Sequence, residues 1–281
     1  MPFQLENFDV ERFVRDTLAE DLGDSGDLTS AAVIPAGARF RASMNGREPI
    51  IVAGLELAEA FFRALDPEVE AERLVEDGER VAAATVLMRL AGNARALLAA
   101  ERSALNTVQH LSGIATLTRR YVDAIAGTGA ILLDTRKTVP GLRILEKYAT
   151  RMGGAQNHRM GLWDAAMIKD NHVAAAGGIE QAVRRAAEAG IARIIVEVDR
   201  IGQIEPAIAA GATHLLLDNM DLATLRQAVQ LVGGRVPTEA SGGIRLDTIR
   251  AVAETGVTYV SVGRLTQSAP AVDIGLDFQC G

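Results

Sequence analysis

The chain has 281 residues, a formal net charge of −7, 48% hydrophobic residues and 23% charged ones. That length holds one barrel with a small partner domain, or two ordinary domains, and the composition excludes disorder. The acidity argues against a nucleic-acid partner, and no apolar run is long enough to span a membrane.

Glu6, Asp9 and Glu11 occupy the start of the chain where a signal peptide would need a basic-flanked apolar run, so none is expected. In the first half, residues 40–52 read as a strand, 55–65 as a helix and 69–75 as a strand. Gly78 marks a turn, and 81–90 read as another strand. A long helix follows from Asn93, with a break expected at Ser112–Gly113 before it resumes to Ile125. This half is an α+β domain. The second half repeats one unit. Buried strands are expected at 131–133, 166–168, 193–198, 214–217, 236–240 and 259–262. Helical periodicity fills the gaps, with Leu142, Leu145, Ala149 and Met152 on one face and Ile179, Val183 and Ala187 on another. Further helices are expected at 201–210, 222–231 and 246–254, and Gly190, Gly211 and Gly256 close several of these units. Alternation without hairpin signals implies parallel crossovers, and six such units favour a closed or nearly closed barrel over an open sheet. The single cysteine, Cys280, allows no intrachain disulfide and fits a cytoplasmic location.

Each expected barrel strand ends in residues a core would not choose. They are Asp134-Thr135-Arg136-Lys137, Lys169-Asp170-Asn171-His172, Glu197-Val198-Asp199 and Asp218-Asn219, then Glu239 with Ser241-Gly242-Gly243, and Gly263. In such barrels these strand ends face one mouth. A single aspartate there reads as a helix cap; six polar strand ends in register read as a site. From Asp134 to His172 seven basic residues face four acidic ones, a local excess of +3 in a chain of −7. Arg143, Lys147 and Arg151 are spaced four apart and read as a solvated helix face. Arg136, Lys137, His158, Arg159 and Lys169 resist that reading. They suit a small polyanion, because arginine forks carboxylate and lysine acts as a point charge on phosphate. Ser241-Gly242-Gly243 and Gly263 supply a backbone phosphate cradle. Glu197 and Asp218 face this mouth as two acids. No His/Cys cluster has metal-ligand spacing, so Mg²⁺ carried in by a pyrophosphate, near Glu197 and Asp218, is expected rather than a metal held by protein ligands alone.

Longer motifs then become recognisable: Asp134-Thr-Arg-Lys-Thr-Val-Pro-Gly-Leu-Arg143, Glu146-Lys-Tyr-Ala149, Gly153-Gly-Ala-Gln-Asn-His-Arg159 and Ile168-Lys-Asp-Asn-His172. With Glu20-Asp-Leu-Gly23, Gly26-Asp-Leu-Thr29, Glu101-Arg102, Ser112-Gly-Ile-Ala-Thr116, Val196-Glu-Val-Asp199, Leu217-Asp-Asn219, Glu239-Ala-Ser-Gly-Gly-Ile244 and Ser261-Val-Gly263, the sequence resembles the quinolinate phosphoribosyltransferase family over nearly its whole length. The resemblance implies an N-terminal α/β sandwich (1–113), an incomplete parallel α/β barrel (114–265) and a tail (266–281) returning to the first domain. It implies transfer of phosphoribose from phosphoribosyl pyrophosphate to quinolinate with decarboxylation, dependent on Mg²⁺, in a homodimer or higher homo-oligomer. Arg136, His158, Arg159 and Lys169, with Thr135 beside them, match positions around the quinolinate carboxylates. Arg102 matches an arginine delivered from a neighbouring subunit. Lys137, Glu197, Asp218, Ser241, Gly242, Gly243 and Gly263 match the phosphoribosyl and pyrophosphate region. Gln267 departs from the family, where many members carry histidine. The alternatives are a related transferase acting on nicotinate, a relative found in molybdate operons, or a non-catalytic phosphosugar-binding protein.

Overall fold

The structure, a computed structural model, describes residues 5 and 7–280. Part of the segment read for a signal peptide, and the side chain of Cys280, lie outside the described residues. The chain forms two compact units. One takes the chain up to Leu117, Ile144–Gly154 and the stretch from Ser268 onward; the other takes Thr118–Arg143 and Ala155–Gln267.

The first unit opens with α1 (Val10–Leu22) and α2 (Leu28–Val33), neither anticipated from the sequence. Only Val14 and Leu18 of α1 are buried, too narrow a stripe to stand out as a periodic pattern. Both helices start at an aspartate cap: Asp9 accepts from the Arg12 N–H and Asp27 from the Ser30 N–H, each at 2.9 Å. There follow β1 (Arg39–Gly46), β2 (Ile50–Ile51), α3 (Leu55–Leu65), β3 (Glu70–Arg73), β4 (Arg80–Val81), β5 (Val86–Asn93) and α4 (Ala94–Ala124). The apolar runs at 40–52 and 81–90 are each split into two strands, the second with Ala84 at φ 65°. Helix α4 runs unbroken through Ser112–Gly113, contrary to the expected break. Gly113 has a packing role instead: a Cβ there would stand 2.1 Å from the carbonyl oxygen of Pro270.

The remaining elements are β6 (Ile131–Leu133), α5 (Arg143–Met152), β7 (Ala166–Ile168), α6 (Asp170–Ala176), α7 (Ile179–Glu188), β8 (Ile194–Val198), a 3₁₀ turn (Ile201–Gln203), α8 (Ile204–Ala209), β9 (His214–Asp218), α9 (Leu222–Val232), β10 (Thr238–Ser241), α10 (Ile249–Ala253), β11 (Tyr259–Ser261), α11 (Arg264–Gln267) and β12 (Ile274–Cys280). Six of these strands form one sheet in the order β6-β11-β10-β9-β8-β7, every pair parallel. Taken along the chain, this is the cyclic strand order of a barrel with one junction, β6 to β7, left open. A single parallel bridge from Leu133 to Gln156 stands beside β6 at that opening. The fold is therefore mixed α/β with an incomplete parallel barrel.

Helix α5 departs from the expectation that it belongs to the barrel, because Ile144–Gly154 groups with the first unit. Its Tyr148 hydroxyl donates to Asp77 at 2.6 Å, and Asp77 also accepts the Gly54 N–H that opens α3. Its Glu146 pairs with His110 Nε2 at 2.9 Å. Glu146 and Lys147 are both fully buried, so the solvated face expected for Lys147 is corrected. In the same unit β12 pairs antiparallel with β1, from Phe40 opposite Cys280 to Gly46 opposite Ile274, completing the sheet β12-β1-β5-β3. Phe61, Phe62, Met44, Leu87, Met88 and Leu97 fill the core against it.

Candidate active site

Successive residues of a strand point to opposite faces, so every second residue of a barrel strand enters the interior. The interior series here are Met167 and Lys169; Ile195 and Glu197; His214, Leu216 and Asp218; Glu239 and Ser241; Tyr259, Ser261 and Gly263. The deeper members are apolar or paired: Ala165, Ile195 and Leu216 pack together with Met167 against them. The last members, at the C-terminal strand ends, open onto a cavity of about 870 Å³.

Of the residues assigned to substrate or catalysis, twelve line this cavity: Thr135, Arg136, Lys137, His158, Arg159, Lys169, Glu197, Asp218, Ser241, Gly242, Gly243 and Gly263; of the other strand-end residues, Asp134, Asp170, Asn171, His172 and Asp199 do not. Among the assigned residues Arg102 is the exception, exposed on α4 in the first unit. Neither aspartate at a strand end is a helix cap. The cap of α9 is Asp221, and Asp134 instead accepts the His158 N–H at 2.8 Å and the Asn157 side-chain N–H at 2.5 Å. Asp134 thus ties the Asn157-His158-Arg159 loop to the end of β6.

The electrostatics of the cavity are uneven. Arg136, Lys137, Arg159, Lys169, Arg245 and Arg264 line it against only Glu197, Asp218 and Glu239, a net excess of three positive charges. The Nε atoms of Arg136 and Arg159 are both buried without a hydrogen-bond partner. Burial, and then the charge of Arg136, pulls the Arg159 pKa below its ordinary value. Two like charges facing one cavity with unused donors leave a place for an anion. Lys169 forms an ion pair with Glu197, and its backbone N–H donates to His172 Nδ1 at 3.0 Å. The Asn219 side-chain N–H donates to Asp218 Oδ2 at 2.6 Å. Lys137 is tethered through its carbonyl, which accepts from Thr266 Oγ1 at 2.7 Å, and its side chain crosses Gly263 where a Cβ would meet it at 2.9 Å. Gln267, the departure from the family pattern, lines the same end.

At the base of the cavity, His158 and Glu239 in its lining meet His214, three residues that the sequence reading assigned no role or a different one. Glu239 is fully buried, with His158 Nε2 at 3.2 Å and His214 Nε2 at 3.0 Å from one of its oxygens. The His214 approach is off the line a hydrogen bond needs. Burial pushes the Glu239 carboxyl up, but the two imidazoles outweigh it and hold the pKa down at about 2. The signal for this cluster was the period-2 pattern itself, which places His214 and Glu239 on the interior face once the strands are in register.

This fold and cavity define a parallel α/β-barrel enzyme that takes a small polyanionic substrate. The family profiles described as "Quinolinate phosphoribosyl transferase, N-terminal domain" and "Quinolinate phosphoribosyl transferase, C-terminal domain" match residues 27–112 and 114–277, and the chain belongs to that family. It is 45% identical to a nicotinate-nucleotide pyrophosphorylase [carboxylating] of Mycobacterium leprae, over 96% of this chain and 98% of that one. It is 40% identical to a mitochondrial quinolinate phosphoribosyltransferase [decarboxylating] of Nicotiana tabacum, over 96% of this chain and 82% of the relative. The solved structure of the nicotinate-nucleotide pyrophosphorylase from Francisella tularensis superposes with a TM-score of 0.94 at 38% identity, covering 99% of this chain and 100% of the other.

Proposed function

We propose that this enzyme transfers the phosphoribosyl group of phosphoribosyl pyrophosphate to the ring nitrogen of quinolinate, releasing pyrophosphate and CO₂ and forming nicotinate mononucleotide. The observation that carries the reading is the pair Arg136 and Arg159, both with buried unused donors beside Lys169. A pyridine with two adjacent carboxylates satisfies such a cluster, whereas a monocarboxylate leaves a buried cation unpaired, costing on the order of 3–5 kcal/mol. His158 lies under this grip and Thr135 at its edge. The glycines at 242, 243 and 263, with Ser241 and Lys137, form the phosphate end.

The chemistry follows from these placements. As the C1–O bond to pyrophosphate breaks, positive charge grows on the ribose, and the carboxylates of Glu197 and Asp218 stabilise it. The ring nitrogen then supplies the new C–N bond and becomes cationic. When the adjacent carboxylate leaves as CO₂, its electron pair stays on the ring carbon beside that cation until a proton is taken up. No positioned general acid is required for bond cleavage, only orientation and exclusion of water. The donor set fits Mg²⁺ arriving with pyrophosphate, because Glu197 and Asp218 supply oxygen ligands, and that ion takes one or two carboxylates plus phosphate. When bound, the ion would neutralise the departing pyrophosphate.

The reading includes a homodimer or higher homo-oligomer in which Arg102 completes a neighbour's site; its exposed position on α4 supports this. A cytoplasmic location is also part of it. It is supported by the single cysteine and by the absence, among the described residues, of a helix long and apolar enough to cross a membrane. The test is release of CO₂ from carboxyl-labelled quinolinate. Release should require both phosphoribosyl pyrophosphate and Mg²⁺; no release, with turnover of nicotinate instead, would sink the reading.

A further inference from the structure

We propose that Glu239 is a positioning residue for the substrate carboxylate grip, acting through His158 on Arg159, with His214 as its brace. The proposal rests on the carboxylate-binding role given above to Arg159. The chain of contacts is short and directional. The backbone N–H of Arg159 donates to His158 Nδ1 at 2.7 Å. A nitrogen that accepts must be bare, so the ring proton sits on Nε2, which faces Glu239 at 3.2 Å. Glu239 accepts only, so it selects this tautomer and no other neutral one. His158 is 5% exposed and its backbone N–H donates to Asp134, leaving the ring little freedom to turn. Across Glu239, His214 is 5% exposed and stacks on Tyr259 with centroids 5.5 Å apart and planes 18° from parallel. That stack keeps the His214 ring beside the carboxylate.

The consequence falls on Arg159. Its backbone is fixed by His158, and one guanidinium N–H is fixed by the Ala165 carbonyl at 2.9 Å. Its Nε carries no protein partner and is left for the ligand. Both nitrogens of His158 are therefore engaged inside the protein, and the imidazole sets where the arginine stands instead of gripping the substrate itself. Glu239 has two opposite effects on an anionic ligand. As a negative charge under the arginines it weakens binding; as the acceptor that holds His158 it strengthens binding. The structure assigns dominance to the second, and the signs differ, so experiment separates them.

The test has two arms. The chain has four histidines, so ¹⁵N shifts of the labelled rings can be assigned by single substitutions. His158 should show a protonated Nε2 and a bare Nδ1 at neutral pH; a protonated Nδ1, or a cationic ring, overturns the proposal whether or not quinolinate is the substrate. The second arm compares Glu239→Ala with Glu239→Gln. The alanine variant should raise the KM for the dicarboxylate about tenfold or more, leaving the phosphoribosyl pyrophosphate KM and kcat within about threefold. The glutamine variant keeps an acceptor without the charge, and should bring the dicarboxylate KM back to within about threefold of wild type. Binding is followed without turnover by the fluorescence of Trp163, the chain's one tryptophan, which is 83% exposed and four residues from Arg159. Tighter dicarboxylate binding in Glu239→Ala, or equal loss for both substrates, overturns the positioning role. A wild-type protein that ignores the dicarboxylate would instead indict the functional reading, and the tautomer would still decide this proposal. Should the alanine variant fail to fold, Glu239→Gln and the wild-type shifts suffice.

Discussion

The Cβ that Gly242 lacks would stand 2.2 Å from Oδ1 of Asn219. Asn219 is itself held in the left-handed region at φ 53°, and its backbone N–H donates to the Ser241 carbonyl at 2.9 Å. The asparagine in turn holds Asp218 through its side-chain N–H. Gly242, at φ 100°, is thus the gap into which the residue orienting Asp218 fits.

Gly242→Ala should therefore act twice. The strained backbone and the displaced Asn219 should lower stability by about 1–3 kcal/mol. The phosphoribosyl pyrophosphate KM should rise about tenfold or more as Asp218 loses its partner, while the dicarboxylate KM changes little. Thermal melting and steady-state kinetics with each substrate varied separately check both halves. An unchanged phosphoribosyl pyrophosphate KM would remove Asn219 from the account.

Arg159 sets stability against binding. An arginine that is 7% exposed, beside Arg136 and with an unused Nε, is a cost to the ligand-free protein. Arg159→Met keeps the apolar stem and removes the charge, losing one hydrogen bond to Ala165. The ligand-free variant should melt no lower than wild type, with a gain of up to about 1–4 kcal/mol. The extra stabilisation that quinolinate gives the wild type should disappear. A variant that melts lower yet still gains from quinolinate would contradict the site's electrostatics.

The strand ends were legible in the sequence because period 2 and polar termination act together at Glu197, Asp218 and Ser241. The Glu239 cluster was only half legible: its members lie on the interior face, but their meeting depends on cross-strand register, with Glu239 opposite Leu216 and Tyr259. Lys147 was misread because a four-residue spacing defines a helix face without saying what lies against it. Its full burial comes from tertiary packing. The break expected at Gly113 failed for a similar reason, since a glycine that admits a crossing backbone looks the same in sequence as one that ends a helix. The last strand was expected only through the family resemblance, as a returning tail, and its pairing with β1 is a long-range register that no local pattern specifies.

The Glu239 carboxyl is held down at about 2, below its value in an unfolded chain, so on acidification the unfolded state takes up its proton first. Its contribution, about 3 kcal/mol at most, is complete above about pH 4.5 and is lost as pH falls toward the folded value. Urea unfolding at pH 5 and pH 3 should show the advantage of wild type over Glu239→Gln shrinking by about 2 kcal/mol. A difference that is constant with pH would mean that Glu239 titrates alike in the folded and unfolded chains, and one that grows on acidification would mean that it is protonated in the native state.

Subunit sharing gives the last prediction. Lys137 lines the barrel cavity, whereas Arg102 sits exposed on α4 in the first unit. If a neighbour's Arg102 completes each site, Arg102→Ala and Lys137→Ala should each be inactive when homogeneous. In a mixed dimer, one of the two sites receives both defects and the other receives neither. Random reassembly of equal amounts makes half the dimers mixed, each with one intact site, so activity should recover to about a quarter of wild type. Differently tagged subunits, purified through both tags, isolate the mixed species and should show about half the wild-type activity per dimer. Verified mixed dimers without activity would place Arg102 in its own subunit's site, whereas an active homogeneous Arg102→Ala would place it outside the chemistry.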